Sequence, residues 1–132
     1  MNALKTLLLC VTFFASLPCY GASGTYQSDC TDPNGGVLVV TVFPDGTVRM
    51  KHRLFVRSQR LPATTASGQF QFGVRASAGC VSATGHFNFS LTDVAGDPNF
   101  VKAILNVTST SSASCSQVGT WYNDYLERCG AL

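Results

Sequence analysis

Along much of this chain, apolar and polar side chains alternate in short runs separated by glycine, proline and hydroxyl residues. A period of two belongs to a strand with one buried face; a helix would scatter the same residues around its surface. Phe70, Phe72 and Val74 interleave with Gln69, Gln71 and Arg75, and Phe87, Phe89 and Leu91 interleave with His86, Asn88, Ser90 and Thr92. Val101, Ala103, Leu105 and Val107 share one side of a further run. Glycine stands two residues ahead of an aromatic at Gly24-Thr25-Tyr26, Gly68-Gln69-Phe70, Gly85-His86-Phe87 and Gly119-Thr120-Trp121. Each copy reads as a flexible glycine that opens a strand and a ring that anchors it in the core.

The clearest turn is Phe43-Pro44-Asp45-Gly46-Thr47. Proline presets φ at the first turn position, and Gly46 accepts the left-handed conformation that closes the hairpin. The flanking strands are expected over Val37–Phe43 and Thr47–Arg57, with Thr41 opposite Arg49, Val39 opposite Lys51 and Val37 opposite Arg53. Alternation then puts Leu38, Val40, Val42, Val48, Met50, His52, Leu54 and Val56 on the core face. It puts Val37, Val39, Thr41, Phe43, Thr47, Arg49, Lys51, Arg53, Phe55 and Arg57 on the other. The segment from Val118 to about Leu126 also suits a short helix, but its Gly119-Thr120-Trp121 opening favours a strand.

Residues 1–21 have the pattern of a secretory leader: Lys5, a mostly apolar run of 11 residues from Leu7 to Leu17, then small residues at Cys19 and Gly21. Residues 22–132 are expected to form one all-β domain with no transmembrane segment. Removing the leader takes away Cys10 and Cys19 and leaves Cys30, Cys80, Cys115 and Cys129. An even number of cysteines in an exported chain reads as a disulfide framework. The four are too scattered for the paired thiolates of a zinc site, and neither a metal nor a cofactor is expected.

About seven strands with mostly short connections suggest an antiparallel meander, closed into a small barrel or curled sheet. A two-sheet sandwich is the alternative. Successive loops of a meander alternate between the ends of the sheet. Cys80 and Cys115 then fall at one end, while Cys30 and Cys129, following the first and last strands, fall at the other. The expected bonds are Cys30–Cys129 and Cys80–Cys115, and with seven strands the first and last would run parallel.

Charge is the feature that points at a partner. Between Gly46 and Thr92 there is no Asp or Glu, yet Arg49, Lys51, Arg53, Arg57, Arg60 and Arg75 all fall there. The formal net charge of +2 becomes +1 once Lys5 is removed, so the charge is segregated rather than large. A face carrying Arg49, Lys51, Arg53, Phe55, Arg57 and Arg60 would suit an anionic surface or an acidic protein site, that of an enzyme it inhibits included. The bland reading is a solvated strand whose cations discourage edge aggregation. Nucleic acid is not expected of an exported chain without a recognition fold.

Catalytic signals are sparse. His52 lies on the apolar face and reads as a core histidine, while His86 lies on a polar face. There is no Gly-x-Ser-x-Gly elbow, and Asp93-Val94-Ala95-Gly96-Asp97 reads as a turn. The expectation is therefore a non-enzymatic binding protein, secreted or periplasmic. Two alternatives stand beside it: a structural component of an envelope or extracellular assembly, and a carrier holding a small ligand inside the barrel.

Overall fold

The computed structural model of the protein describes residues 23–129, and they form one antiparallel sheet of eight strands. These are β1 (Gly24–Gln27), β2 (Leu38–Val42), β3 (Val48–His52), β4 (Gln59–Leu61), β5 (Thr65–Gln71), β6 (Thr84–Val94), β7 (Asp97–Thr110) and β8 (Gly119–Arg128). The expected leader, with Cys10 and Cys19, lies outside the described residues, as do residues 130–132. Strand order across the sheet is β4-β3-β2-β1-β8-β7-β6-β5. The first and last strands are therefore neighbours, and the seam falls between β4 and β5. Across that seam Val56 N–H donates to Gln71 O and Gly73 N–H to Leu54 O, both at 2.8 Å, while Phe55 bridges to Phe72. The result is a nearly closed barrel made from a single sheet, not a sandwich of two.

The hairpin has the expected register. Phe43 N–H donates to Thr47 O at 2.9 Å, and Gly46, with φ +88°, donates to Phe43 O at 3.0 Å. Thr41 pairs with Arg49 and Val39 with Lys51, and Arg53 N–H reaches Val37 O at 3.1 Å. The strand expected over Thr47–Arg57 nevertheless stops at His52. There Phe55 N–H donates back to His52 O at 2.9 Å, and Leu54 N–H donates to His52 Nδ1 at 3.1 Å. A side chain that takes a nearby backbone donor offers the chain an alternative to the ladder. The turn shifts the alternation by one residue. Phe55, expected on the outer face, is buried in the core, whereas Val56, expected inside, is 48% exposed.

The chain released by this turn forms β4, the eighth strand, and the added strand changes the direction count. β1 and β8 run antiparallel, with Tyr26 opposite Arg128 and Gln27 opposite Glu127, rather than parallel. Both disulfides form as expected, with Cα separations of 5.5 Å for Cys30–Cys129 and 4.7 Å for Cys80–Cys115. For Cys80–Cys115 the meander argument holds. The loops after β5 and β7 lie at one end of the β6–β7 hairpin, where Ser111 N–H donates to Thr84 O at 2.9 Å. Cys30 reaches Cys129 by another route. After β1 the chain leaves the sheet into a turn in which Asp32 N–H donates to Asp29 O and Asp29 N–H to Gly35 O. This brings the Cys30 Sγ within 3.9 Å of Glu127 O, beside the end of β8.

The glycine–aromatic copies divide into two kinds. Gly24 and Gly119 do open strands, at φ +147° and +135°, where a side chain would be strained. Gly68 lies inside β5 rather than at its start, because Thr65–Ser67 already pair with β6. Gly68 stands opposite Phe87, and Gly85 stands opposite Phe70. A Cβ on Gly68 would lie 2.9 Å from Phe87, and one on Gly85 would lie 2.7 Å from Phe70. Each glycine leaves room for the ring across the strand, an arrangement that pins register.

Rings fill the interior. Phe55 stacks on Phe70 at 4.3 Å between centroids, Phe70 meets Phe72 edge-on at 4.8 Å, and half-buried Trp121 packs edge-on against Phe70 at 5.4 Å. Phe87, Phe89, Leu38, Met50, Leu105 and Leu126 complete the core. Val74, expected inside, is 90% exposed because β5 ends at Gln71 and Val74 stands in the following loop. The last segment is strand from Gly119 to Arg128, with no helix.

Candidate functional site

The cations singled out in the sequence fall into two groups, set by where β3 starts and ends. Arg49 lies near the hairpin tip, opposite Thr41 on one side and Arg60 of β4 on the other. Like charges directly opposite one another cost stability unless something lies between them. Here Phe43 receives both guanidinium groups, Arg60 at 4.3 Å and Arg49 at 5.4 Å from its ring centroid. Arg60 also donates to Thr47 Oγ1 at 3.0 Å. The Thr47 side chain and backbone N–H donate to Asp45 and hold its carboxyl below the usual range, with the charge of Arg60 adding to the effect.

Lys51 and Arg53 form the second group, at the far end of β3. They line a cleft of about 540 Å³ with Arg75 from the loop after β5, the turn residues Asp29 and Asp32, and Tyr122 and Asp124 of β8. Arg57 is exposed in the segment between β3 and β4, apart from both groups. Phe55 belongs to neither, being inside the barrel. Among the described residues none of these six cations is ion-paired.

The cleft exists because β1 is short. It spans four residues against ten in β8, and its register with β8 covers only Glu127 and Arg128. Asp124 pairs with buried Ala103, and Tyr122 with buried Leu105, so both occupy interior positions of the register. Asp124 is nevertheless exposed, because no strand covers that side of β8. Burial raises the Tyr122 hydroxyl pKa, and the Asp124 charge adds to the shift. Sequence reasoning missed Asp29, Asp32, Tyr122 and Asp124 as site residues. The available signal was the turn-rich stretch Asp29-Cys30-Thr31-Asp32-Pro33-Asn34-Gly35-Gly36, which ends the first strand early.

His52 is buried, and its neighbours are apolar rings, with Trp121 at 4.9 Å and Phe55 at 5.6 Å. Burial pushes its pKa down to about 4, and the nearby Arg53 charge acts in the same direction. Its Nδ1 accepts the Leu54 N–H, so the neutral ring carries its proton on Nε2. His86 is exposed, with Nδ1 3.1 Å from Ser109 Oγ. A hydroxyl–imidazole contact needs a third group to orient the base, and among the described residues the other ring nitrogen has no hydrogen bond. No group of three or more His, Cys, Asp or Glu among the described residues could hold a metal ion.

A shallower groove of about 410 Å³ crosses the outer face of β5–β7. Its lining includes Thr65, Ser67, Asn88, Ser90 and Asn106, and it carries no charge. In comparisons with known proteins, the chain matches no family model, no curated protein and no solved structure.

Proposed function

We propose that this chain is an exported, non-enzymatic binding protein that receives an acidic protein partner on the outer face of β2–β4. The observation that carries the reading is the run of cations Arg49, Lys51, Arg53, Arg57 and Arg60 along β3, the segment after it and β4, none ion-paired among the described residues. Unpaired surface cations next to apolar or aromatic groups favour rapid, salt-sensitive association with an acidic surface. Phe43, held between Arg49 and Arg60, supplies such an aromatic group. Two disulfides are compatible with an oxidising compartment outside the cytoplasm. The apolar leader pattern of residues 1–21 adds support for export. An interior carrier has less support, because Phe55, Phe70, Phe72, Phe87 and Phe89 occupy the barrel centre. A catalytic role has less support because His52 is buried and neutral.

The test is capture of partners from native extract with the mature chain and with an Arg49→Glu/Arg53→Glu/Arg57→Glu variant, each over a salt series. The reading expects a partner that is lost with the variant and released by salt. Partners that bind both proteins equally, whatever the salt, would overturn it.

A further inference from the structure

Polar side chains that face each other across a β-ladder can stabilise it by hydrogen-bonding to one another. Elsewhere on this barrel such pairs do. Thr25 Oγ1 lies 3.0 Å from Thr41 Oγ1, Thr120 Oγ1 donates to Asn106 Oδ1 at 2.9 Å, and His86 Nδ1 lies 3.1 Å from Ser109 Oγ. The groove across β5–β7 differs. Thr65 stands opposite Ser90, Ser67 opposite Asn88, and Asn88 opposite Asn106. Yet the side chains of Thr65, Ser67, Asn88 and Ser90 make no hydrogen bond among the described residues, and Asn106 keeps its amide nitrogen free. Opposed polar pairs are thus left open in a concavity of about 410 Å³. Ile104, opposite Ser90, adds a half-buried apolar side chain to the same surface.

We propose that this groove binds a short, linear, neutral saccharide laid across β5, β6 and β7. Carboxamides and hydroxyls each offer both a donor and an acceptor. The neighbouring hydroxyls of a sugar ring do the same, so one ring can bridge an open pair. The lining carries no charged side chain. An ion placed there would give up hydration without meeting a counter-charge, so the groove selects a neutral ligand. Ile104 receives the C–H side of a ring, the mixed apolar and polar lining that small-molecule sites use. Adjacent strands lie about 4.8 Å apart, close to the advance from one ring to the next in an extended glycan. Successive rings can therefore meet Ser67, Asn88 and Asn106 in turn. The spacing of these groups is held by the ladder beneath them, where Gly68 and Phe87 interlock beside Ser67 and Asn88. Side chains on such strands position a ligand better than side chains on a loop. The proposal uses a different face from the acidic-partner reading and does not depend on it.

The experiment titrates the mature, isotope-labelled protein with cellohexaose, chitohexaose and maltohexaose, and with hexagalacturonate as the acidic control. Backbone amide shifts and the side-chain amides of Asn88 and Asn106 are read together. Expected are saturable shifts at Ser67, Asn88, Ser90 and Asn106 with at least one neutral glycan. They should be unchanged by added salt and unchanged in the Arg49→Glu/Arg53→Glu/Arg57→Glu variant. Asn88→Ala and Ser67→Ala should each weaken that binding by roughly three- to tenfold, the worth of one hydrogen bond. Both side chains are exposed and make no hydrogen bond among the described residues, so neither change removes a contact that the fold uses. If none of the three neutral glycans gives saturable shifts in the groove, the proposal is wrong. It is equally wrong if both alanine variants bind as tightly as the parent, or if hexagalacturonate shifts the groove residues as strongly as the neutral glycans do.

Discussion

Strands β5–β8 run from seven to fourteen residues, whereas β1–β4 run from three to five. The long half interlocks through reciprocal Gly68–Phe87 and Phe70–Gly85 pairs. Its outer face carries hydroxyls and amides in register, such as Ser67, Asn88, Asn106 and Thr120 across four strands. The short half carries the outward arginines and the cleft beside β1. Long ladders with a ring-filled inner face hold the barrel together, which leaves the short half free to present cations that make no ion pair among the described residues. Surfaces that adapt to a protein partner are expected in the less stable parts of a fold.

The largest test of this contrast is removal of each disulfide in turn. Their sequence separations are 99 residues for Cys30–Cys129 and 35 for Cys80–Cys115. In the chain-entropy model these are worth about 5 and about 4 kcal/mol. Cys30→Ser/Cys129→Ser should therefore lose more stability in denaturant unfolding than Cys80→Ser/Cys115→Ser. It should also deprotect the amides of β1–β4 before those of β5–β8. Simultaneous loss of protection in both halves would show that they are one cooperative unit.

Acid should act next, through the junction of the short half and the core. The His52 pKa is near 4 when folded, against 6.5 as a free group. The unfolded chain therefore binds its proton first as pH falls. Stability from this group is fully present above pH 6.5 and is lost as pH falls from 6.5 to about 4, by about 3 kcal/mol in total. His52→Leu should flatten the unfolding free energy across that window. An unchanged slope would mean that His52 does not set it. Asp29 and Asp45, held low by Thr31 and Thr47, act only below the ordinary carboxylate value of 3.8.

The smallest effect tests the interlock of the long half. Gly68→Ala places a methyl 2.9 Å from the Phe87 ring and should cost about 1–3 kcal/mol by overpacking. In the Gly68→Ala/Phe87→Leu double variant the costs should sum to less than the two singles. Simple additivity in thermal or denaturant unfolding would show that the glycine does not make room for that ring.

Much of the fold was legible because period-two alternation is a local property. The β2–β3 register followed from Pro44-Asp45-Gly46, and the inward residues of β6 and β7 from their alternating runs. His52 was readable as a core residue for the same reason. Phe55 was not. Its direction depends on a turn made by the His52 ring and backbone, a contact that alternation does not encode. The candidate site was half legible: the acid-free stretch drew attention to Lys51 and Arg53, but the cleft also needs Asp29, Tyr122 and Asp124, which are far away in sequence.

From sequence alone came the all-β class, the alternating faces, the hairpin and the Cys80–Cys115 pairing, because these rest on periodicity, turn chemistry and loop order; the Cys30–Cys129 bond forms as expected, but through the turn after β1 rather than through loop order. Tertiary structure decided the eighth strand, the antiparallel meeting of β1 with β8, and the cleft beside β1. Those depend on where each strand stops, and a strand stops where a long-range neighbour, a ring or a competing hydrogen bond outweighs the next rung of the ladder.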